Sequence, residues 1–481
     1  MQWTAIFRLL ARLYIAVGVA MATAIPWAWV YDSADVRNGF IISTLITLGV
    51  AALAWLRGRE PEAIYPREAL VTVAFGWLGV ALLGALPFLL TGVLYHPIHA
   101  FFESASGFTT TGATVFTDVE SLPRAINWWR TLSHWLGGMG IVVLFIAILP
   151  RLGVGARHLF RSEVPGPITS DLRPKLKSTA STLWKIYLIL TLSEVVLLWV
   201  AGMSPFESLC HSFATLATGG FSTRNASIGA FDSVAIEMIV VVFMLLAGVN
   251  FSLYYVLLSR RRWGSIWRDP ELRVYLWLIA SATVIIAATL IGMGRPIWTS
   301  LRQSLFQVVA IHTTTGFGTD NFSVYPALAQ LLLVALMFVG GCAGSTGGGM
   351  KVIRFMLIWK AVYVELYHSF RPRAVKSIKL GGSTVPPDVV HTVLAFFAAG
   401  IGAFLFGSLF VASFNIDIVT ACTATAASLF NIGPGLGQVG SIEHYGWMPT
   451  QVQLVLSLLM ILGRLELFTV LVLLLPPFWR R

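Results

Sequence analysis

The segment SASGFTTTG at residues 104–112 ends in a glycine, and three further segments align with it without gaps. They are SFATLATGG at 212–220, VAIHTTTG at 309–316 and TAASLFNIG at 425–433. Each follows small and apolar residues, and each precedes a polar turn and a long apolar run. Such a fourfold repeat is typical of a single chain that builds a pseudo-fourfold pore. Backbone carbonyls and threonine hydroxyls at these turns can replace the hydration shell of an ion.

The composition indicates an integral membrane protein. Of the 481 residues, 57% are hydrophobic and 11% are charged, whereas soluble domains carry about 25% charged residues. Apolar runs close to the ~20 residues needed to cross a bilayer recur along the whole chain. We predict spans at 12–30, 39–56, 69–94, 128–150, 182–202, 236–258, 274–293, 328–350, 388–413 and 448–475.

The distribution of charge predicts the orientation of the chain. The net charge of +11 is spread over loops rather than gathered in one patch, so nucleic acid is not an expected partner. With both termini cytoplasmic and the four glycine segments re-entrant, most Lys and Arg residues face the cytoplasm, as the positive-inside rule requires. Acidic residues stay on the outer face. They form either a vestibule that concentrates cations or ordinary solvated loop charge.

The repeats predict the domain organisation. Residues 1–60 form a pair of transmembrane helices that lack the glycine signature. The remainder divides into four units, 61–165, 166–270, 271–375 and 376–481, each a membrane span, a pore helix and a second span. The predicted fold is an all-α integral membrane protein with four pseudo-symmetric repeats around a central pore. The three cysteines lie in apolar or re-entrant segments and imply no disulfide framework.

Each predicted pore helix begins at a helix-start signal. The signals are Pro97, Ser204 with Pro205, Thr299 with Ser300, and Asn415. The partially negative C-terminal end of such a helix points at the glycine turn and favours a cation there. Glycine suits the turn because it tolerates a positive φ and close approach of the backbone.

A glycine-rich segment, GGCAGSTGGGMK at 340–351, interrupts the apolar run that follows the third signature. A continuous helix is disfavoured here because each glycine costs about 1 kcal/mol against alanine. The segment lacks the GKS or GKT ending of a phosphate-binding loop, which argues against nucleotide binding. Two interpretations stay open, an intramembrane gate beneath the third turn or a tight helix-packing surface.

Two charges and a histidine lie within apolar segments. Arg464 either faces the pore as an electrostatic barrier or forms a structural ion pair, because an unpaired charge at the bilayer centre is costly. Glu194 is a candidate partner for Arg464 or for Lys185, whereas Glu466 points to a different side of the helix from Arg464. His312, beside the third signature, is either a pH-sensitive group or a packing residue.

Six motifs together resemble the TrkH-type potassium-transporting subunit of the Trk, Ktr and HKT transporter superfamily. They are TTTGAT (109–114), ATGGFST (217–223), TTTGFGT (313–319), NIGPGLG (431–437), GGCAGSTGGGMKV (340–352) and GRLELFT (463–469). The resemblance implies four membrane–pore–membrane units around a potassium-selective filter, assembled as homodimers in the bacterial inner membrane. It also implies gating by a cytoplasmic TrkA-type ring that binds adenine nucleotides. Basic loops around 151–185, 260–273 and 351–379 are its candidate docking sites.

The resemblance assigns the filter and the gate residue by residue. The filter glycines map to Gly112, Gly220, Gly316 and Gly433. The remaining oxygen ligands of potassium map to Thr110, Thr111, Thr218, Gly219, Thr314, Thr315, Asn431 and Ile432. The gate maps to Gly344, Ser345, Thr346, Gly347, Gly348, Gly349 and Lys351, with Arg464 as the pore arginine.

The expected function is potassium uptake without covalent chemistry. No catalytic residue and no organic cofactor is expected, since the chain has no HExxH motif and no GxSxG-like nucleophile. Asn431 and Ile432 depart from the threonine pattern, so a sodium-permeable or proton-coupled transporter of the same fold is the alternative. A secondary transporter of an organic solute usually carries twofold inverted repeats, whereas four parallel repeats are expected here.

Overall fold

The computed structural model describes residues 1–60, 65–148, 176–260 and 267–480. Most of the predicted basic docking segment at 151–185 and much of that at 260–273 lie outside these residues. The described chain is helical except for loops and one small antiparallel hairpin, which pairs β1 (Lys379–Leu380) with β2 (Ser383–Thr384). The all-α prediction is therefore confirmed. Within the described residues, six helices are long and apolar enough to span a membrane, or eight if two bent pairs each count as one span.

The helices follow the order of the predicted repeats. The N-terminal helices are α1 (Trp3–Ala22), α2 (Ile25–Tyr31) and α3 (Ala34–Arg57). The first repeat contains α4 (Pro66–Gly84), α5 (Leu86–Leu90), α6 (Pro97–Phe108) and α7 (Arg124–Ile148). The second contains α8 (Leu176–Val200), α9 (Pro205–Leu216), α10 (Val234–Ala247) and α11 (Phe251–Arg260).

The third and fourth repeats continue the series. The third contains α12 (Pro270–Gly292), α13 (Ile297–His312), α14 (Ala327–Phe338) and α15 (Val352–Phe370). The fourth contains α16 (Pro387–Ala412), α17 (Ile418–Leu429), α18 (Thr450–Arg464), α19 (Leu467–Leu471) and α20 (Pro476–Trp479). Short 3₁₀ turns lie at Ser227–Phe231, Phe322–Val324, Gly437–Val439 and Val472–Leu474.

Four short helices, α6, α9, α13 and α17, form the centre of the molecule, and we call them the pore helices. Each packs between the two spans of its own repeat. Each also packs against the second span of the preceding repeat, so that α9 lies on α7, α13 on α10 and α17 on α14. The remaining contact, between α6 and α18, joins the last repeat to the first. The four repeats therefore close into a ring.

The second spans of the last three repeats are broken, which corrects the uninterrupted runs expected at 236–258 and 448–475. Helices α10 and α11 meet at 89°, and α18 and α19 meet at 113°. At the first break, the Asn250 side chain accepts from the Ser252 amide at 2.8 Å and starts a new helix. At the second, Glu466 takes a positive φ of 59°. The third repeat breaks where the glycine-rich segment predicts it, between Phe338 and Val352.

Three of the four predicted helix-start signals lie at the cap or in the first turn of their pore helix. Helix α6 begins at Pro97, and Ser204 forms a capping box with Glu207 at the start of α9. Helix α13 begins at Ile297, directly after Pro296, so Thr299 and Ser300 lie in its first turn. The cap of α17 is Asp417, which accepts from the Thr420 amide at 2.9 Å. Asn415 stands two residues earlier with a positive φ of 59°.

Candidate ion-conduction site

All four pore helices end in the same hydrogen-bonded turn. The amide of the residue before the signature glycine donates to a carbonyl five residues earlier, which is the 6→1 bond of a Schellman motif. The pairs are Thr111 with Ser106, Gly219 with Ala214, Thr315 with Ala310 and Ile432 with Ala427, at 2.8 to 2.9 Å. The chain thus leaves each helix along the same path.

The residue two positions before each signature glycine has left-handed backbone geometry. Thr110, Thr218, Thr314 and Asn431 have φ values of 54°, 54°, 61° and 56°. Glycine usually fills this position of a helix end, and a β-branched residue there is a steric outlier. Asparagine tolerates this geometry, so the strain falls on the three threonines, and strain of this kind is typical of functional sites.

The signature glycines bring adjacent repeats into direct backbone contact. A Cβ on any of the four would lie within 2.5 Å of the carbonyl oxygen that precedes the signature glycine of the next repeat. The contacts run from Gly112 to Gly219, from Gly220 to Thr315, from Gly316 to Ile432 and from Gly433 to Thr111. The four glycines also have positive φ values between 76° and 95°. The sequence-predicted filter residues therefore form one closed ring in the order of the repeats.

Main-chain oxygens are most of the polar groups that this ring keeps available, because several side chains are already hydrogen-bonded, whereas Thr110 Oγ1 and Asn431 Oδ1 are buried without a partner among the described residues. The Thr111 hydroxyl pairs with the Thr109 hydroxyl, and the Thr315 hydroxyl with that of Thr313, each at 2.8 Å. The Asn431 amide nitrogen donates to Thr111 Oγ1 at 3.0 Å and to the Met460 carbonyl at 2.9 Å. Carbonyl rings of this kind are the ligands of potassium-selective filters.

Each pore helix also carries a polar side chain that braces the segment leaving its own glycine. The pairs are Glu103 with the Val115 amide, His211 with the Ser222 hydroxyl, Gln307 with the Asp320 carbonyl and Thr423 with the Leu436 amide, at 3.0, 3.0, 3.2 and 2.9 Å. The four side chains occupy equivalent positions but are of four different residue types. A comparison of the repeats that looks for the same residue at each position therefore does not find them. Their signal is a buried polar residue nine or ten positions before each glycine.

The brace of the first repeat is part of a buried ion pair. Glu103 accepts from Arg130 Nε at 2.7 Å, and their side chains are 0% and 1% exposed. Arg130 also donates to the Ser222 carbonyl at 3.3 Å, which lies in the second repeat, and its guanidinium lies over the Phe221 ring. The pair therefore fixes two neighbouring repeats to each other just outside the glycine ring.

Replacing Glu103 by glutamine is expected to lower the free energy of unfolding by about 3 to 5 kcal/mol, because Arg130 would stay buried without its counter-ion. The matched control is Glu120→Gln, since Glu120 faces Arg224 at 3.8 Å with both side chains more than 40% exposed. An exposed pair contributes about 1 kcal/mol or less. Unfolding in detergent measures both variants. Equal losses in the two would contradict the assignment of Arg130 and Glu103 as a structural unit.

A cavity opens outside the ring and reaches all four signature glycines. Its charged lining residues are Arg130, Arg224 and Glu443. The walls therefore do not form the acidic vestibule that is one of the two sequence expectations. Many outer carboxylates have structural partners instead: the Asp32 side chain accepts from two amides at the start of α7, and Asp320 pairs with Arg295.

The outer loops of the first two repeats are joined near this cavity. Asn225 donates from its side chain to Asp118 at 2.8 Å and accepts from the Val119 amide at 2.8 Å. The Asn225 side chain, together with the Glu120 amide, holds the pKa of the Asp118 carboxyl below its ordinary value. A lowered carboxyl pKa contributes stability above the ordinary value that is lost as the pH falls through the shifted one. The bridge is therefore intact at neutral pH.

The glycine-rich segment 340–351, which we call the inner loop, lies directly beneath the ring. The Gly348 amide donates to Thr314 Oγ1 at 2.7 Å, and a Cβ on Gly348 would lie 2.6 Å from the Phe430 carbonyl. The Cys342 amide donates to the Gly248 carbonyl at 2.9 Å. The loop thus touches the second, third and fourth repeats below the signature turns.

Arg464 connects the inner loop to the first repeat. It donates to the Thr346 carbonyl at 2.9 Å and to the Gly137 carbonyl at 3.3 Å, and it is 2% exposed. The partners of Arg464 are therefore main-chain oxygens, whereas the sequence predicted either a charge that faces the pore or a member of an ion pair.

The two nearby carboxylates do not pair with Arg464. Within the described residues, both Glu194 oxygens are buried without a hydrogen bond. Glu466 forms an ion pair with Arg354 and not with Arg464. This agrees with the expectation that Glu466 and Arg464 point to different sides.

Glu271 fastens both ends of the inner loop, and sequence reasoning missed it. It lies in the first turn of α12, is 2% exposed, and accepts from the Ala343 amide at 2.8 Å and the Ile353 amide at 3.1 Å. A glutamate in a first helical turn is ordinarily explained by the helix dipole. Lys351 donates to the Gly347 carbonyl, which closes the loop on itself.

A ring of four equivalent turns at the ends of four pore helices, within a chain of apolar helices, defines a membrane cation transport protein of the pore-loop class. The family model for TrkH, described as a cation transport protein, matches residues 36–478. The chain belongs to the TrkH family. Because this is a family of potassium transporters and not of enzymes, the chain is a transporter and a multi-pass membrane protein.

Full-length relatives and a solved structure agree with this family. The Trk system potassium uptake protein TrkH of Halomonas elongata is 42% identical, with 99% of each chain covered. That of Escherichia coli is 40% identical over 100% of both chains. The crystal structure of the potassium transporter TrkH from Vibrio parahaemolyticus superimposes with a TM-score of 0.91 at 38% identity, again over 100% of both chains.

Proposed function

We propose that this chain takes up potassium across the bacterial inner membrane by conduction through the ring of Gly112, Gly220, Gly316 and Gly433. The observation that carries the proposal is a contact between adjacent repeats. Each signature glycine lies against the main-chain carbonyl of the residue that precedes the signature glycine of the next repeat. Potassium is the cargo, and it exchanges its hydration shell for the ring of main-chain oxygens. The dipoles of four pore helices, whose C-terminal ends meet at the ring, favour a cation there.

The inner loop is the gate of this pathway. Its contacts with Ala247, Thr314 and Phe430 come from three repeats, and Arg464 adds the fourth through Gly137. A segment held by all four repeats beneath the ring obstructs the pathway while those contacts persist. Glycine suits such a segment, since it rearranges without steric cost at positions such as Gly344 and Gly349, whose φ values are 72° and 69°.

The regulator is a cytoplasmic nucleotide-binding ring of the TrkA type, and the working unit is a homodimer. Among the described residues, the basic turn that follows α15 carries Arg371, Arg373 and Lys376 and is mostly exposed. This turn is a docking surface for the ring, and it connects through α15 to the inner loop. The proposal of a homodimer rests on the resemblance to the TrkH family.

Flux of rubidium and sodium into proteoliposomes that contain the purified chain tests this function. We expect rubidium entry that external potassium inhibits and that the same concentration of external sodium does not inhibit. Equal flux of rubidium and sodium would instead support the sodium-permeable alternative, with Asn431 as its cause. Rubidium entry that requires an imposed proton gradient would support the proton-coupled alternative. Transport of an organic solute in place of either ion would refute the proposal.

A further inference from the structure

The filter of the second repeat lacks a structure that the first and third repeats share. In those two repeats, threonines one and three positions before the glycine pair their hydroxyls behind the turn, Thr111 with Thr109 and Thr315 with Thr313. The second repeat has Gly219 and Ala217 at these positions. Neither residue can form the pair, and in the fourth repeat Phe430 and Ile432 cannot form it either.

The missing side chains are replaced by a ring from a different repeat. His134 lies in α7, the second span of the first repeat, and is 0% exposed. A Cβ on Gly219 would lie 2.3 Å from His134 Nδ1 and 2.5 Å from its Cγ, so the imidazole fills the space behind Gly219. One helical turn further on, a Cβ on Gly138 would lie 2.8 Å from the Cα of Ala217. Helix α7 therefore fits directly against the second filter turn.

The position of the imidazole is itself fixed. It stacks on Phe221, the residue after the signature glycine of the second repeat, with ring centroids 4.1 Å apart and planes inclined by 13°. Phe221 also lies under the Arg130 guanidinium. His134 is thus held between the turn before Gly220 and the segment after it.

We propose that His134 is a positioning residue for ion selectivity, which supports the Gly219 carbonyl in the ring as the threonine pairs support the first and third repeats. The inference rests on the proposed potassium filter and assigns the support of one quarter of it. The carbonyl of Gly219 is the one that the glycine of the first repeat approaches. Its displacement would therefore open the ring between the first and second repeats.

The proposal predicts that His134 and Gly219 are coupled in a double-mutant cycle. His134→Ala leaves the turn unsupported, and we expect the potassium-to-sodium selectivity ratio to fall about tenfold, which corresponds to about 1.4 kcal/mol. Gly219→Thr alone places a side chain into the imidazole, and the ratio should fall at least as far. Because Gly219 does not have a positive φ, the double variant can accept the threonine. It should recover part of the native ratio, because the threonine side chain fills space that the imidazole leaves, although Ala217 offers it no hydroxyl partner.

Two further variants separate positioning from general packing. His134→Phe retains a stacked ring and should retain the native ratio. His312→Ala is the matched control, because His312 is also 0% exposed but stacks on Tyr275 and does not lie against the Cβ position of Gly219, as His134 does. It should lose thermal stability without losing selectivity.

The selectivity ratio of rubidium to sodium flux is measured for all variants, together with their unfolding temperatures. A native ratio in His134→Ala, additive losses in the double variant, or an equal loss of ratio in His312→Ala would each overturn the role of His134. A wild-type chain that does not discriminate between the two ions would instead overturn the proposed filter. The two failures are therefore distinguishable.

Discussion

Replacing Gly316 by serine is expected to reduce the preference for potassium over sodium at least tenfold, about 1.4 kcal/mol of discrimination. A Cβ at this position would lie 1.8 Å from the Ile432 carbonyl oxygen and 2.7 Å from Pro434 Cδ. The φ of 76° adds strain for any side chain. The ring must therefore open between the third and fourth repeats, and the ligand oxygens there move apart.

The matched control for Gly316→Ser is Gly292→Ser. Gly292 ends α12, has no heavy atom within 4 Å of its Cβ position and does not have a positive φ. Parallel measurement of rubidium and sodium flux should show a native selectivity ratio for this control. An unchanged ratio in Gly316→Ser, with normal expression and assembly, would contradict the assignment of this glycine to the filter.

Deleting residues 344–348 is expected to raise rubidium flux about tenfold or more in the absence of any regulatory partner. The deletion removes the Thr346 carbonyl that Arg464 binds and the Gly348 amide that binds Thr314. It therefore removes the obstruction beneath the ring and the contacts that hold it. Flux into proteoliposomes without added cytoplasmic protein is the measurement.

A second variant keeps this prediction testable if the deletion folds poorly. Arg464→Ala leaves the inner loop intact but removes its connection to the Gly137 carbonyl. We expect a smaller rise in partner-independent flux than in the deletion, with the selectivity ratio unchanged because the ring is not altered. Flux that falls or stays level in both variants would support the alternative that the segment is a helix-packing surface.

The positions of the candidate filter could be predicted from the sequence because four signatures recur with the same glycine. Their geometry could not. Threonine is rarely found in the left-handed region, so nothing in the composition of the turns predicts the φ values at Thr110, Thr218 and Thr314. The order of the ring depends on contacts between residues more than 90 positions apart, such as Gly112 with Gly219.

Other misses have local physical causes. The break between α10 and α11 falls at Gly248 to Asn250, a short interruption in an otherwise apolar run that the sequence does not mark clearly. The inner loop could be predicted because it contains many glycines. Glu271 was missed because its partners are main-chain amides, which leave no mark in the sequence. The outer carboxylates could not be separated into free and paired groups without knowing which arginines fold against them.

The most direct test of the central claim is the location of rubidium in crystals of this chain, found by its anomalous scattering. The account predicts a peak on the ring axis, bound by the main-chain oxygens of Thr111, Gly219, Thr315 and Ile432. In crystals of Gly316→Ser, that peak should weaken or disappear. Rubidium bound only elsewhere, in a chain that still conducts it, would contradict the claim that these four turns form the filter.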